Sequence, residues 1–294
     1  MITAILGLLT AVVYGSADFV AAMATRRIRV LAVTAGSSIT GLMALIAMVP
    51  IFGADYSQSA IAWGFAAGLF SVTALISLYA SLAIGPISII SPLGALISAI
   101  VPAIIGVALM GEEFSTTGWL AILVGLIAVV LIGMVPDSTG ARPKLKAILL
   151  AIAAGVSIGL AVSSLAQSPG DSGIAPVITM RGTAAAILLL LNVPWIIALI
   201  RKRETFVKLN DDPNGSRFGL IGLIALAGVF DAAANVLFTL ASRSGSLTVA
   251  GVLTALYPLG TILLARLVLG EKITRLQGVG ITLALGASVL LALG

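Results

Sequence analysis

Cysteine and histidine are both absent from this sequence of 294 residues. Their absence excludes disulfides, thiolate nucleophiles and the usual zinc or haem ligand sets. Charge is scarce as well. Asp, Glu, Lys and Arg make up 9% of the chain, against about 25% in a soluble protein. The deep aromatic residues, Tyr14, Tyr79, Tyr257 and Phe238, are too few and too scattered to form an aromatic cage for a quaternary ammonium. There is no Gly-rich phosphate loop with its lysine and no Ser/His/Asp set, so no catalytic, metal-binding or cofactor-binding constellation can be assembled. Neither enzymatic chemistry nor ATP-driven pumping by this chain alone is expected.

What is present is apolar. Hydrophobic residues make up 60% of the chain and fall into successive blocks, a pattern foreign to fibrous and disordered proteins. A helix crossing the hydrocarbon needs about 20 mainly apolar residues. Ten such blocks occur, at approximately 2–24, 30–52, 60–83, 87–110, 116–135, 147–167, 173–200, 218–241, 246–269 and 275–293. They are continuously apolar, whereas an outer-membrane barrel needs alternating segments of about ten residues. The gaps are too short for a soluble domain. The first block lacks a basic leader and is followed by Arg26, Arg27 and Arg29, so it is expected to remain as a span and not to be cleaved as a signal peptide. An all-α integral membrane protein with ten transmembrane helices follows, with the lipid bilayer as its first partner. The net charge of +5 resides in loops, where it orients the chain in the membrane and does not imply nucleic acid.

Shifting the sequence against itself by 159 positions brings Gly111-Glu112 onto Gly270-Glu271 and Leu78-Tyr79-Ala80 onto Leu237-Phe238-Thr239. The chain reads as a duplication, residues 1–140 and 141–294, with five helices in each copy. Because five is odd, the second copy starts on the opposite side of the membrane. That gives an inverted-topology repeat, the arrangement many secondary transporters use around a midplane site. Tyr14-Gly15-Ser16-Ala17-Asp18-Phe19, the helix carrying Arg181, and Thr254-Ala255-Leu256-Tyr257-Pro258-Leu259 running to Leu269-Gly270-Glu271-Lys272 resemble the ten-helix EamA-type members of the drug/metabolite transporter superfamily. The resemblance spans nearly the whole chain. It implies two five-helix repeats around a central cavity, and transport or export of a small metabolite without ATP, but no one substrate; the reading adopted is export of an amino acid or similar small metabolite across the cytoplasmic membrane. One feature departs from that pattern: the basic stretch Arg201-Lys202-Arg203 follows the second helix of the C-terminal half, not of the N-terminal half.

Charges at the bilayer centre cost about 2.5–3.5 kcal/mol each on insertion scales, so each needs a reason. Asp18, Arg181 and Asp231 are deep, whereas Arg266 is near enough to a helix end to snorkel. Tyr14 and Asn235 lie four residues from Asp18 and Asp231, so each shares a helix face with its aspartate. A buried salt bridge from Arg181 to one aspartate is the structural alternative to a functional role. One arginine cannot neutralise two carboxylates, and the unpaired one needs a proton, a cation or a cationic substrate group. Asp18 or Asp231 is thus the expected coupling residue, with protons as the candidate ion, in a transporter that is proton-coupled or facilitative. Pro86, Pro92 and Pro102 in or beside the fourth helix and Pro258 in the ninth remove backbone donors. Ser88, Ser91, Ser98, Thr254 and Tyr257 accompany them, marking the fourth and ninth helices as cavity walls, or else as kinks plugged by hydroxyls. The expected substrate site is Tyr14, Ser91, Ser98, Asn235, Thr254 and Tyr257, with Leu263 facing lipid. Gly94, Gly106, Gly251 and Gly260 are read as packing residues, Trp63, Trp119 and Trp195 as interfacial anchors, and Glu112, Glu113 and Glu271 as solvated or capping corners. A secondary transporter is the reading that unites these features; a channel-like or structural membrane protein without coupled transport is the alternative.

Loop charge sets orientation. The gaps after helices one, five, seven and nine hold thirteen basic residues: Arg26, Arg27, Arg29, Arg142, Lys144, Lys146, Arg201, Lys202, Arg203, Lys208, Arg217, Lys272 and Arg275. The opposite side holds Arg243. The positive-inside rule then places both termini outside. A reporter fused after Gly294 is expected to be active only when it matures outside the cytoplasm. Activity confined to the cytoplasm would overturn the assignment.

Overall fold

The computed structural model describes residues 1–25, 27–82, 84, 87–134, 144–202, 217–270 and 273–293. Helices occupy nearly all of them: α1 (Ile2–Thr25), α2 (Val30–Phe52), α3 (Gln58–Leu82), α4 (Ile87–Met110), α5 (Thr116–Gly133), α6 (Leu145–Ala166), α7 (Ala175–Lys202), α8 (Arg217–Arg243), α9 (Leu247–Thr254), α10 (Pro258–Leu269) and α11 (Arg275–Leu293). Among the described residues nine spans are long and apolar enough to cross a membrane, counting α9 and α10 together, and α11 is a shorter apolar helix. The helix interiors lack polar alternation because backbone groups in hydrocarbon must be satisfied within the segment, and the helix does this at every residue. The outward faces carry Leu109, Leu120, Leu190, Ile221 and Leu267, all strongly exposed. Such a surface suits acyl chains and not water. The chain is a multi-pass integral membrane protein.

The ninth block is not one helix. Pro258 has no N–H to give to the carbonyl of Thr254, and the chain tightens instead: Leu256 N donates to Leu253 O at 3.2 Å and Tyr257 N to Thr254 O at 3.0 Å. Pro258 then opens α10 at its first position, where its missing donor costs nothing. The break spans Ala255–Tyr257. Pro92 and Pro102, by contrast, lie inside a continuous α4. The two proline-bearing helices, expected to be alike, therefore differ. Pro86, Glu271 and the basic residues Arg26, Arg142, Arg203, Lys208 and Lys272 lie outside the described residues, as do the side chains of Tyr79, Ser88, Trp195, Arg201, Lys202 and Arg217.

Contacts between the halves come in matched pairs. α3 packs on α6 and α7, and α8 packs on α1 and α2; α4 packs on α6, and α9 and α10 pack on α1. Three further contacts, α2 with α7, α4 with α9 and α5 with α11, map onto themselves when the halves are exchanged. The two Gly-Glu corners share a backbone: Gly111 and Gly270 have φ of 68° and 70°, the left-handed conformation that glycine adopts without a Cβ clash. The turns α2–α3, α4–α5, α6–α7 and α8–α9 gather at one end. There Ala54 bridges to Gly173, and Arg243 donates to Gly173 O, Pro169 O, Ser168 Oγ and Ser172 Oγ at 2.8–3.1 Å.

The Glu112 corner is a half-buried cap. Its carboxylate crosses to the start of α9, accepting from Ser246 Oγ at 2.8 Å, from Thr248 N at 3.1 Å and from Leu247 N. A carboxylate on the orphan amides at a helix N-terminus suits the helix dipole. Its neighbour Glu113 is exposed. Trp63 and Trp119 lie exposed near the starts of α3 and α5, as interfacial anchors do. Leu263 is not lipid-facing. It is half-buried against the core cluster built from α1, α4, α5 and α9–α11. Leu267, 78% exposed, is the lipid-facing position on that helix.

Several crossings bring backbones into contact through glycine. A Cβ at Gly15 would collide with Tyr257 O and with Gly260, and a Cβ at Gly155 would lie 2.6 Å from Gly94 O. Small residues at such crossings let helices approach closely in lipid. Gly15→Leu is expected to cost about 1–3 kcal/mol by overpacking, read as a lowered melting temperature in detergent, whereas Gly222→Leu, with open space around it, leaves the melting temperature unchanged.

Candidate functional site

At the centre of the bundle lies a cavity of about 260 Å³. Its polar lining includes Tyr14 and Asp18 from α1, Ser71 from α3, Ser98 from α4, Arg181 from α7, Asp231 and Asn235 from α8, Thr254 from α9 and Tyr257 from the break. The remaining wall is largely aliphatic, with Leu75, Leu78, Val162, Leu165 and Met180. A second cavity of about 150 Å³ lies towards the end of the bundle where α1 passes into α2. It is lined by Thr34, Ser37 and Ser38 of α2 together with Ala21, Leu188 and Ala227. Six residues belong to both: Asp18, Ser71, Leu75, Arg181, Ala184 and Asp231.

The Arg181–Asp231 ion pair stands where the cavities meet, Arg181 Nη2 on Asp231 Oδ2. Both are well covered, with side chains 12% and 29% exposed. Beside it the Tyr14 hydroxyl donates to Asn235 Oδ1 at 2.6 Å, and Asn235 Nδ2 donates to the backbone carbonyl of Asp231 at 2.7 Å. The i, i+4 spacing on α8 thus holds Asn235 over Asp231 and ties that helix to α1. Among the described residues two buried donors in this wall have no partner, Arg181 Nε and Thr254 Oγ1.

Asp18 is different. It is exposed although it lies in the interior of α1, and its exposure is to the two cavities. Among the described residues no hydrogen bond or ion pair reaches its carboxylate. Two carboxylates therefore share this site with one guanidinium, which is already engaged by Asp231.

The predicted substrate residues Tyr14, Ser98, Asn235, Thr254 and Tyr257 and the predicted charges Asp18, Asp231 and Arg181 all line the main cavity. Ser91 does not. It is half-buried, on the same face of α4 as Ser98 but seven residues, or about 10 Å, further along the axis, beyond the cavity's reach. The Ser98 hydroxyl is turned to Ala95 O at 2.8 Å, which leaves its lone pairs for the cavity. The backbone carbonyl of Thr254, which Pro258 leaves without a helical donor, is taken by Tyr257 N, so the unpartnered polar group there is the Thr254 hydroxyl. Arg266 is exposed in the last turn of α10 and outside the site. Ser71, Thr34, Ser37 and Ser38 were not anticipated. Ser71 sits among apolar residues of α3 with no proline or charge nearby, and the α2 hydroxyls read as helix-compatible packing, since Thr34 and Ser37 bond to Val30 O and Val33 O.

A model of the EamA-like transporter family matches residues 1–134 and, separately, 145–293. Among curated proteins none matches. Among solved structures, one described simply as the crystal structure of a protein has a TM-score of 0.72 and 17% sequence identity, covering 99% of this chain and 96% of its own. At that identity the likeness concerns the fold alone.

Removing one partner of a buried ion pair strands the other charge and costs about 3–5 kcal/mol, while neutralising both costs far less. Arg181→Gln is accordingly expected to lower the melting temperature of the purified protein strongly, and Arg181→Gln with Asp231→Asn to restore most of the loss. A double variant no better than the single one would contradict the pairing.

Proposed function

The chain belongs to the EamA-like transporter family, and from that premise we propose that it exports a small metabolite, an amino acid or a compound of that kind, across the cytoplasmic membrane by alternating access coupled to protons. The observation that carries this reading is the shared border of the two cavities: Asp18, Ser71, Arg181 and Asp231 line both. A solute held beside these residues has to pass the ion pair to move from one cavity to the other. A carrier needs such a septum, whereas a pore needs it removed.

The two-repeat organisation, residues 1–140 and 141–294 with opposite orientation, supports the same reading. The family model matches the halves one after the other, and the helix contacts pair off when the halves are exchanged. Inverted repeats rock around a fixed midplane site. In our reading both termini lie outside, so the smaller cavity faces the cytoplasm, and the end held by Arg243, the Ala54–Gly173 bridge and the Glu112 cap is the outer one.

Coupling is assigned to Asp18 and not to Asp231. Asp231 has its counter-ion, so taking up a proton there would cost the ion pair. Asp18 has none, and an uncompensated carboxylate at membrane depth is relieved by a proton or a cation. In proteoliposomes with amino acids as the first probes, Asp18→Asn is expected to abolish accumulation driven by a pH gradient while leaving the fold intact. An unchanged pH response would rule the assignment out. Thr254→Phe is expected to block transport by filling the cavity, whereas Leu267→Phe on the lipid face leaves it unaltered. Equal loss at both positions would point to general packing damage and against a site here.

A further inference from the structure

The charge balance of the cavity identifies the chemistry of its ligand more narrowly. With Arg181 committed to Asp231, the walls hold one unanswered negative charge, Asp18, exposed to both cavities. We propose that the recognised part of the substrate is a cationic amine that binds the Asp18 carboxylate, so that Asp18 determines specificity for compounds carrying an ammonium group. This deepens the transport reading and rests on it for the word substrate, but the binding claim stands or falls on its own measurement.

Three observations converge on an ammonium. Among the described residues Arg181 is the sole basic residue in either lining, and a carboxylate ligand approaching its unpartnered Nε would compete with Asp231 for the same guanidinium in a cavity that also holds the uncompensated Asp18. An anion is thereby opposed twice. The hydroxyls of Ser71 and Tyr257 share the main cavity with Asp18 and offer oxygen acceptors for the two ammonium protons that one carboxylate leaves over. Opposite them, Leu75, Leu78, Val162, Leu165 and Met180 form an aliphatic wall, which accommodates the hydrocarbon part of an amine. Thr254 Oγ1, buried and unpartnered, supplies a hydrogen bond for an acceptor elsewhere on the molecule. A carboxylate carried by the same molecule, as in an amino acid, is tolerated through that donor and not required.

The test uses three probes with one carbon skeleton and three charges: isohexylammonium, isohexanol and isocaproate. Binding is read as stabilisation of the purified full-length protein and as a dissociation constant by calorimetry, neither of which depends on transport. Charge-assisted hydrogen bonds to a poorly solvated carboxylate predict that the ammonium binds about tenfold or more tightly than the alcohol, and that isocaproate binds least. Asp18→Asn is expected to reduce the ammonium to the affinity of the alcohol, and Asp18→Glu, which keeps the charge, to retain the preference. Folding of each variant is checked by its elution and melting. If Asp18→Asn does not fold, the Asp18→Glu protein and the ranking of the three probes decide the matter. Tightest binding by isocaproate, equal binding of all three probes, or an ammonium preference that survives Asp18→Asn would overturn the proposal. Loss of transport with the ammonium preference intact would instead count against the carrier reading and leave the binding site standing.

Discussion

Three ionisable side chains in hydrocarbon with one positive charge between them is the constraint from which the rest of this molecule follows. Arg181 and Asp231 neutralise one another, and Asn235 and Tyr14 fix that pair by bonding across α8 and α1. Asp18 is left over. A membrane protein retains an uncompensated carboxylate only where water or a ligand reaches it, and here the helices are arranged so that two cavities do. The ion pair and the cavities are thus one feature: the pair forms the partition, and the unpaired acid faces both compartments.

Packing makes room for the cavities. Glycine crossings between α1 and α10 and between α4 and α6 draw the walls together outside the cavity. At the proline break between α9 and α10, Thr254 and Tyr257 point inward while α10 tucks Leu263 against the core. Glu112 then caps the short α9 from the other half of the chain. The half-helix beside the site is therefore held by a group from the N-terminal half of the chain, a direct mechanical link between the two halves.

Much of this was legible in the sequence, for definite physical reasons. Spans are legible because hydrocarbon permits few alternatives to a continuous apolar helix, so nine of the ten predicted blocks correspond to single helices within a few residues. Charged site residues are legible because their insertion cost marks them against an apolar background; Asp18, Arg181 and Asp231 could be picked out one by one. Which aspartate Arg181 takes is a matter of side-chain geometry across three helices, and composition is silent on it. Hydroxyls are harder still. Ser91 and Ser98 share a face, yet only one reaches the cavity, and Ser71 and Ser37 carry no local mark, because a serine bonded to its own helix costs little in a membrane. The even treatment of α4 and α9–α10 failed for a related reason: whether a proline bends or breaks a helix depends on what fills the space around it.

The absence of native cysteine opens the most direct test of the central claim, that residues at the border of the two cavities are reached from either side by turns. Ser71 lines both cavities, and Ser71→Cys would place the only thiol of the chain there. Sealed vesicles of the two orientations, treated with a membrane-impermeant thiol reagent, report access from each face, and the lumen reports leakage. The account predicts labelling from both faces with no reagent in the lumen. Labelling from one face alone would contradict alternating access, and reagent in the lumen would show an open pore in place of a carrier.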